Sequence, residues 1–214
     1  MFWVPAQVLL LRGNKLRACP VVASLVELRT LNLSGNQLAT LPDLGALVDL
    51  VELDVSANQL TQLPATMPPA LARLNCNQNR IVELGLEFRP LGRLHELYAS
   101  DNTLVDIAPP FGSWCPALRQ VHLRGNRLED LPDSFANLRA MELLDARDNQ
   151  LCIFPLLADG APVKELRLSN NQLPELDAVE LAKVSLAHHC VAVADWLVFV
   201  QVCPSLLAKT GHHH

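Results

Sequence analysis

Apolar residues recur along this chain in a fixed phase around a series of asparagines. Asn14, Asn36, Asn58, Asn79, Asn102, Asn126, Asn149 and Asn171 stand 21 to 24 residues apart. Around Asn36 the apolar positions are Leu28, Leu31, Leu33 and Leu38; around Asn126 they are Leu118, Val121, Leu123 and Leu128. Val163, Leu166, Leu168 and Leu173 keep the same phase about Asn171. The pattern is LxxLxLxxNxL, and its in-register copies cover most of the chain. Its LxL step has period two, so both side chains point to one side of a short strand. One such coil has nothing against which to bury its leucines, so the repetition predicts a stack of coils. The strands then lie side by side in a parallel sheet, with a ladder of leucines inside. The recurring asparagine is the polar exception. Its side chain is expected to turn inward and satisfy backbone groups of the adjoining loop.

After the asparagine several copies continue as LxxLP, at Leu38–Leu41–Pro42, Leu60–Leu63–Pro64 and Leu128–Leu131–Pro132. Proline there favours a turn and has no N–H to satisfy. The remainder of each copy is short, which predicts an extended or 3-10 outer side and an arc with the sheet on its concave side. Two copies depart from the pattern. One holds Pro68 and Pro69; the longest holds Pro109, Pro110, Phe111 and Trp114. Phe111 and Trp114 either fill a wider outer core or stand out as an aromatic knob for a partner. A weaker ninth copy follows, with Leu181, Val184, Leu186, His189 at the asparagine position and Val191. Beyond it, Trp196, Phe199 and Val200 have helical spacing and read as a helix that caps the last open layer. The expected organisation is thus about eight asparagine-marked repeats over 1–180, a degenerate repeat plus capping helix over 181–210, and a purification-tag remnant over 211–214.

Composition narrows the function classes. Half of the 214 residues are hydrophobic and 18% are charged, too apolar a balance for disorder. The net charge of −5 gives no basic surplus of the kind a general nucleic-acid or anionic-membrane binder carries. No run approaches the roughly 20 apolar residues of a membrane span. The apolar N-terminus has neither a basic leader region nor a small-residue cleavage site. Cys19, Cys76, Cys115, Cys152, Cys190 and Cys203 are scattered, with no CxxC pair.

The repeats resemble those of intracellular leucine-rich-repeat proteins, above all the type 1 protein phosphatase regulatory subunit with 22-residue repeats. The tail is similar to the cap of that group, YRxxVxxxxPxLxxLD: Trp196 stands at the Tyr, Val200 at the Val, Pro204 at the Pro and Leu206–Leu207 in the Leu region. Ala208, Lys209 and Thr210 stand where the closing Leu-Asp would fall. The resemblance implies an α/β leucine-rich-repeat solenoid with a curved parallel sheet and a C-terminal capping helix. The wider group includes axonemal dynein light chains and a spliceosomal subunit. The stretch LPATMPPALARLN also resembles repeats of bacterial secreted effectors. Extracellular members usually carry disulfide-bonded caps; their absence here points to an intracellular, cytoplasmic protein, with nuclear or cytoskeletal sites as alternatives.

Catalytic signatures are missing: the sequence has no GxxxxGK, GxGxxG, HExxH or GxSxG. His188, His189 and Cys190 are adjacent on one stretch and ill-placed to converge on a metal ion. No cofactor, metal or catalytic residue is expected. The informative residues face outward from the strands in three columns. The first is Val8, Thr30, Glu52, Arg73, Glu96, Gln120, Leu143 and Glu165. The second is Leu10, Asn32, Asp54, Asn75, Tyr98, His122, Asp145 and Arg167. The third is Arg12, Ser34, Ser56, Asn77, Ser100, Arg124, Arg147 and Ser169. Tyr98 is the only tyrosine, and Tyr and Arg are enriched among interface hot spots. Arg73, Glu96, Tyr98, Gln120, His122, Arg124, Asp145, Arg147 and Arg167 are therefore the candidate partner-binding set. Arg119, Arg124, Arg147 and Arg167 suggest an acidic partner segment over the later repeats, with Asp145, Asp148 and Glu165 weighing against it. The expected role is a scaffold or adaptor that binds a protein, with no direct nucleic-acid or membrane contact. A spliceosomal-type subunit acting through a protein partner, or an effector repeat domain, is the alternative. The first repeat begins close to Met1 without a separate cap, which suggests a monomer or a weak dimer through that end.

Overall fold

The computed structural model describes residues 6–174, apart from 20, 21, 23, 86, 87, 89 and 159. The expected degenerate repeat, capping helix, 188–190 cluster and tag lie outside the described residues.

Each described coil contributes one three-residue strand. These are β1 (Val8–Leu10), β2 (Thr30–Asn32), β3 (Glu52–Asp54), β4 (Arg73–Asn75), β6 (Glu96–Tyr98), β8 (Gln120–His122), β9 (Leu143–Asp145) and β10 (Glu165–Arg167). They form one parallel eight-stranded sheet in chain order. Their register aligns Leu9, Leu31, Leu53, Leu74, Leu97, Val121, Leu144 and Leu166 in a single row. All of that row except the half-buried Leu9 is buried. Each such leucine contributes roughly 1.5–3 kcal/mol by leaving water.

The asparagines weld neighbouring coils. Asn102 Nδ2 donates to Ala99 O of its own coil at 3.2 Å and to Cys76 O of the preceding coil at 3.0 Å. Its Oδ1 accepts from Ile81 N of that preceding coil at 3.1 Å. Asn36, Asn58, Asn79, Asn126, Asn149 and Asn171 repeat this arrangement. Asn14, in the first coil, bonds within its own coil, to Leu11 O and Arg12 O. The buried amide thus occupies both its donor and acceptor capacity on main-chain groups that water cannot reach. Immediately before each asparagine the backbone turns left-handed, at Gly13, Gly35, Ala57, Gln78, Asp101, Gly125, Asp148 and Asn170. Gly, Asn and Asp suit that conformation; Ala57, at φ 52°, does so at a steric cost.

The outer side varies with the sixth residue after the asparagine. In most coils it is a proline: Pro42, Pro64, Pro132 and Pro155. Gly85 and Ala108 replace it in two consecutive coils. Those two coils carry a second, two-stranded parallel sheet, β5 (Glu83–Leu84) with β7 (Asp106–Ile107), extended by a bond from Ala108 N to Leu84 O at 2.8 Å. Pro132 has no N–H with which to continue this ladder into the next coil.

The longest repeat accommodates its extra residues in a short helix, α1 (Phe111–Trp114). Phe111 is fully buried, between Phe88 at a centroid distance of 5.0 Å and Phe135 at 5.9 Å. Trp114 is half-buried against the same core. The aromatics therefore fill the outer core. Gly112 makes this possible: a Cβ there would lie 1.9 Å from Ser134 O in the 3-10 turn Asp133–Asn137 of the next coil.

Candidate protein-binding face

The strands are too short to hold side chains by themselves; the sheet positions them. Because alternate residues face opposite ways, the leucine row points inward and its two neighbours on each strand point to the open, concave face. Parallel register then lines up Glu52, Arg73, Glu96, Gln120, Leu143 and Glu165 in one column, and Asp54, Asn75, Tyr98, His122, Asp145 and Arg167 in the next. Arg124 and Arg147 follow the strands in the third column.

At the middle of the face Tyr98 stacks on His122, with centroids 4.6 Å apart and planes 15° apart. Such a pair contributes about 0.5–1.5 kcal/mol beyond its burial. Tyr98 OH donates to Glu96 Oε2 at 2.9 Å. Arg73 grips the same Glu96 carboxylate with two bonds, at 2.7 and 3.2 Å. That grip holds the Glu96 carboxyl below its ordinary range, with burial opposing it. Burial, assisted by Glu96, pushes the Tyr98 phenol up, so it stays protonated at neutral pH. His122 Nε2 is buried without a hydrogen-bond partner. Burial lowers the His122 pKa against the opposing pull of Asp145, which favours the neutral ring.

Beyond the histidine, Asp145 is only 3% exposed and is clasped twice. Arg147 donates to it at 2.9 and 2.6 Å, and Arg167 approaches at 3.4 Å. Burial works to raise the Asp145 carboxyl, but the hydrogen bonds from Arg147 prevail and hold it low. Arg167 also binds Glu165 at 2.6 Å, and Arg124 binds Asp148 at 2.7 Å. The later repeats thus set Arg124, Arg147 and Arg167 against Asp145, Asp148 and Glu165, charge for charge. The three carboxylates that weigh against an acidic partner segment are thus the ones that hold these arginines.

Several of these pairs join residues two apart in sequence, on a strand or just past its end: Glu96 with Tyr98, Asp145 with Arg147, Glu165 with Arg167. The strand period signals such pairs, but column assignment alone does not reveal them. Asp148 and Asn170, at left-handed turn positions outside the columns, join by a 2.6 Å bond and extend the network. Cys19, Cys115 and Cys152 are free thiols, and burial pushes Cys115 up to about 12. Among the described residues no three His, Cys, Asp or Glu side chains are grouped to hold a metal ion. Nor is any helix among them long and apolar enough to cross a membrane.

Known proteins share this architecture. Residues 26–65 match the family of Leucine Rich repeats (2 copies), and residues 117–138 match the Leucine Rich Repeat family. A stretch of 118 residues, 53% of the chain, is 32% identical to the probable serine/threonine-protein kinase pats1 of Dictyostelium discoideum and spans 4% of that protein. The functional domain of InlJ from Listeria monocytogenes, whose structure includes a cysteine ladder, superposes with a TM-score of 0.57 and 22% identity. That match covers 83% of this chain and 42% of that one. TLR13, in its complex with ssRNA13, gives a TM-score of 0.58 at 22% identity, over 80% of this chain and 33% of its own. The chain therefore corresponds to less than half of each of these proteins. Folds of this type typically serve as non-enzymatic scaffolds that mediate protein–protein interaction. The asparagine-welded coils, the single parallel sheet and the two matched segments agree: the chain is a leucine-rich-repeat solenoid.

Proposed function

We propose that the chain is a non-catalytic binding module that holds a partner protein on its concave face, and that it acts inside the cell, in the cytoplasm. The observation that carries this reading is the Tyr98–His122 stack at mid-face, braced by Glu96 and Arg73 on one side and by Asp145 with its two arginines on the other. A preorganised aromatic anchor costs little side-chain entropy when a partner closes over it. The free thiols at Cys19, Cys115 and Cys152 support a reducing compartment. The match to a kinase spans too small a part of that protein to bring catalysis with it.

Affinity capture from the source cell tests the proposal, with a Tyr98→Ala, Arg124→Ala double variant as control. A partner retained by the native chain and lost with the folded double variant is the expected result. Equal retention by both would count against the face. The captured partner also separates a spliceosomal-type or effector role from a regulatory one. Direct nucleic-acid binding has one observation in its favour, the TLR13–ssRNA13 neighbour. Against it stand the net charge of −5 and arginines already held by carboxylates. Salt-dependent binding of a single-stranded RNA, lost on Arg124→Ala with Arg147→Ala, would bring that reading forward.

A further inference from the structure

The two ends of the concave face differ in what they leave unsatisfied. On the later strands every arginine of the columns is held by a carboxylate. Toward β1 the pattern inverts. Asp54 takes its hydrogen bonds from neutral donors, Asn32 Nδ2 at 3.3 Å, Ser56 N at 3.0 Å and Ser56 Oγ at 2.7 Å, and has no ion-pair partner among the described residues. Glu52 meets a cation only at 3.8 Å, on an Arg73 whose short bonds go to Glu96. Beside these carboxylates β1 turns two apolar side chains to solvent on a face that is otherwise largely polar: Val8 is 55% exposed and Leu10 64%.

Resting on the concave-face reading above, we propose that β1–β3 dock a protein segment that sets an apolar side chain on Val8 and Leu10 and a Lys or Arg on Asp54. Register fixes the spacing. Leu10 pairs with Asn32 and Asn32 with Asp54, so the two subsites are two strand spacings, about 10 Å, apart. The direction is fixed as well. Arg12 follows β1, carries no ion pair among the described residues, and would repel a cation placed over the first coil. The partner's apolar group therefore lies over β1 and its cation over β3. Seating the cation on Asp54 supplies the one carboxylate of the columns that has no positive partner, and covering Leu10 removes exposed apolar surface from water.

A random-peptide display library panned against the whole chain tests this. Enriched peptides should pair an apolar residue with Lys or Arg and weaken as salt rises. Leu10→Ser and Asp54→Asn should each reduce their binding about tenfold, and Leu156→Ser, at an exposed position on the outer side away from the columns, should leave it unchanged. Both substituted positions are solvent-facing, and matching thermal melts confirm that the variants remain folded. Acidic enriched peptides, no enrichment above a blank surface, or binding indifferent to Leu10→Ser and Asp54→Asn would overturn the proposal. Indifference there combined with loss on Tyr98→Ala would overturn it while sparing the concave-face reading; indifference to all of these substitutions would sink both.

Discussion

On each strand of the main sheet, neighbouring residues live under opposite rules. The inward row is leucine on strand after strand, with Val121 as the single variation, and all but its first member is buried. The outward columns on either side change from Val and Leu at β1 to carboxylates, then to tyrosine and histidine, then to paired arginines. Repetition inside and variety outside separate two jobs: the inner row is held constant by stacking, whereas the outer columns are free to specify a partner. The same division makes distinct predictions for residues only one position apart.

The largest effect belongs to the inner row. Leu97→Ala opens a cavity between coils that cannot collapse around it, and should cost roughly 2–5 kcal/mol, read as a drop in the denaturant midpoint. Asn102→Ala takes the acceptor from the Ile81 N–H and one of two asparagine donors from each of the Ala99 and Cys76 carbonyls, which keep Asn126 and Asn79, and should cost about 1–3 kcal/mol by the same measurement. Ala57→Gly runs the other way: relieving a left-handed alanine should stabilise by about 1 kcal/mol. Loss of stability there would mean that the Ala57 methyl makes contacts outweighing its strain.

The smallest effect belongs to the outer columns. His122 faces Tyr98 and Glu96 from β6, Asp145 and Arg147 from the β9 coil, and Arg167 from β10. Its pKa is lowered in the folded state, so the unfolded chain takes up the proton first as pH falls. The stability it contributes is complete above the ordinary value of 6.5 and is lost as pH drops from there toward the folded value. His122→Phe keeps an aromatic stack and removes the unpartnered nitrogen. Comparing melts at about pH 7.5 and 5.5, the variant should lose less stability on acidification than the native chain. An identical loss in both would show that His122 does not titrate in this window.

Much of the fold was legible because stacking acts on residue type at fixed spacing. The Asn-marked strands fall where LxxLxLxxNxL places them. The outer side was less legible. Whether Phe111 packed inside or stood out depended on Phe88 and Phe135, which share its distance from the preceding asparagine, and on the bare backbone of Gly112. The second sheet was signalled only by two missing prolines, at Gly85 and Ala108. On the face itself, column membership followed from register, but the partners of Arg124, Arg147 and Arg167 did not. Those pairings depend on side-chain reach across strands and onto turn residues such as Asp148.

The most direct test sets Tyr98→Ala beside the native chain in two assays, thermal melting and titration of the captured partner. A melting point lowered by only a few degrees, together with partner affinity reduced at least about tenfold, is the predicted result. Unchanged affinity in the folded variant would contradict the claim that the outward columns grip the partner.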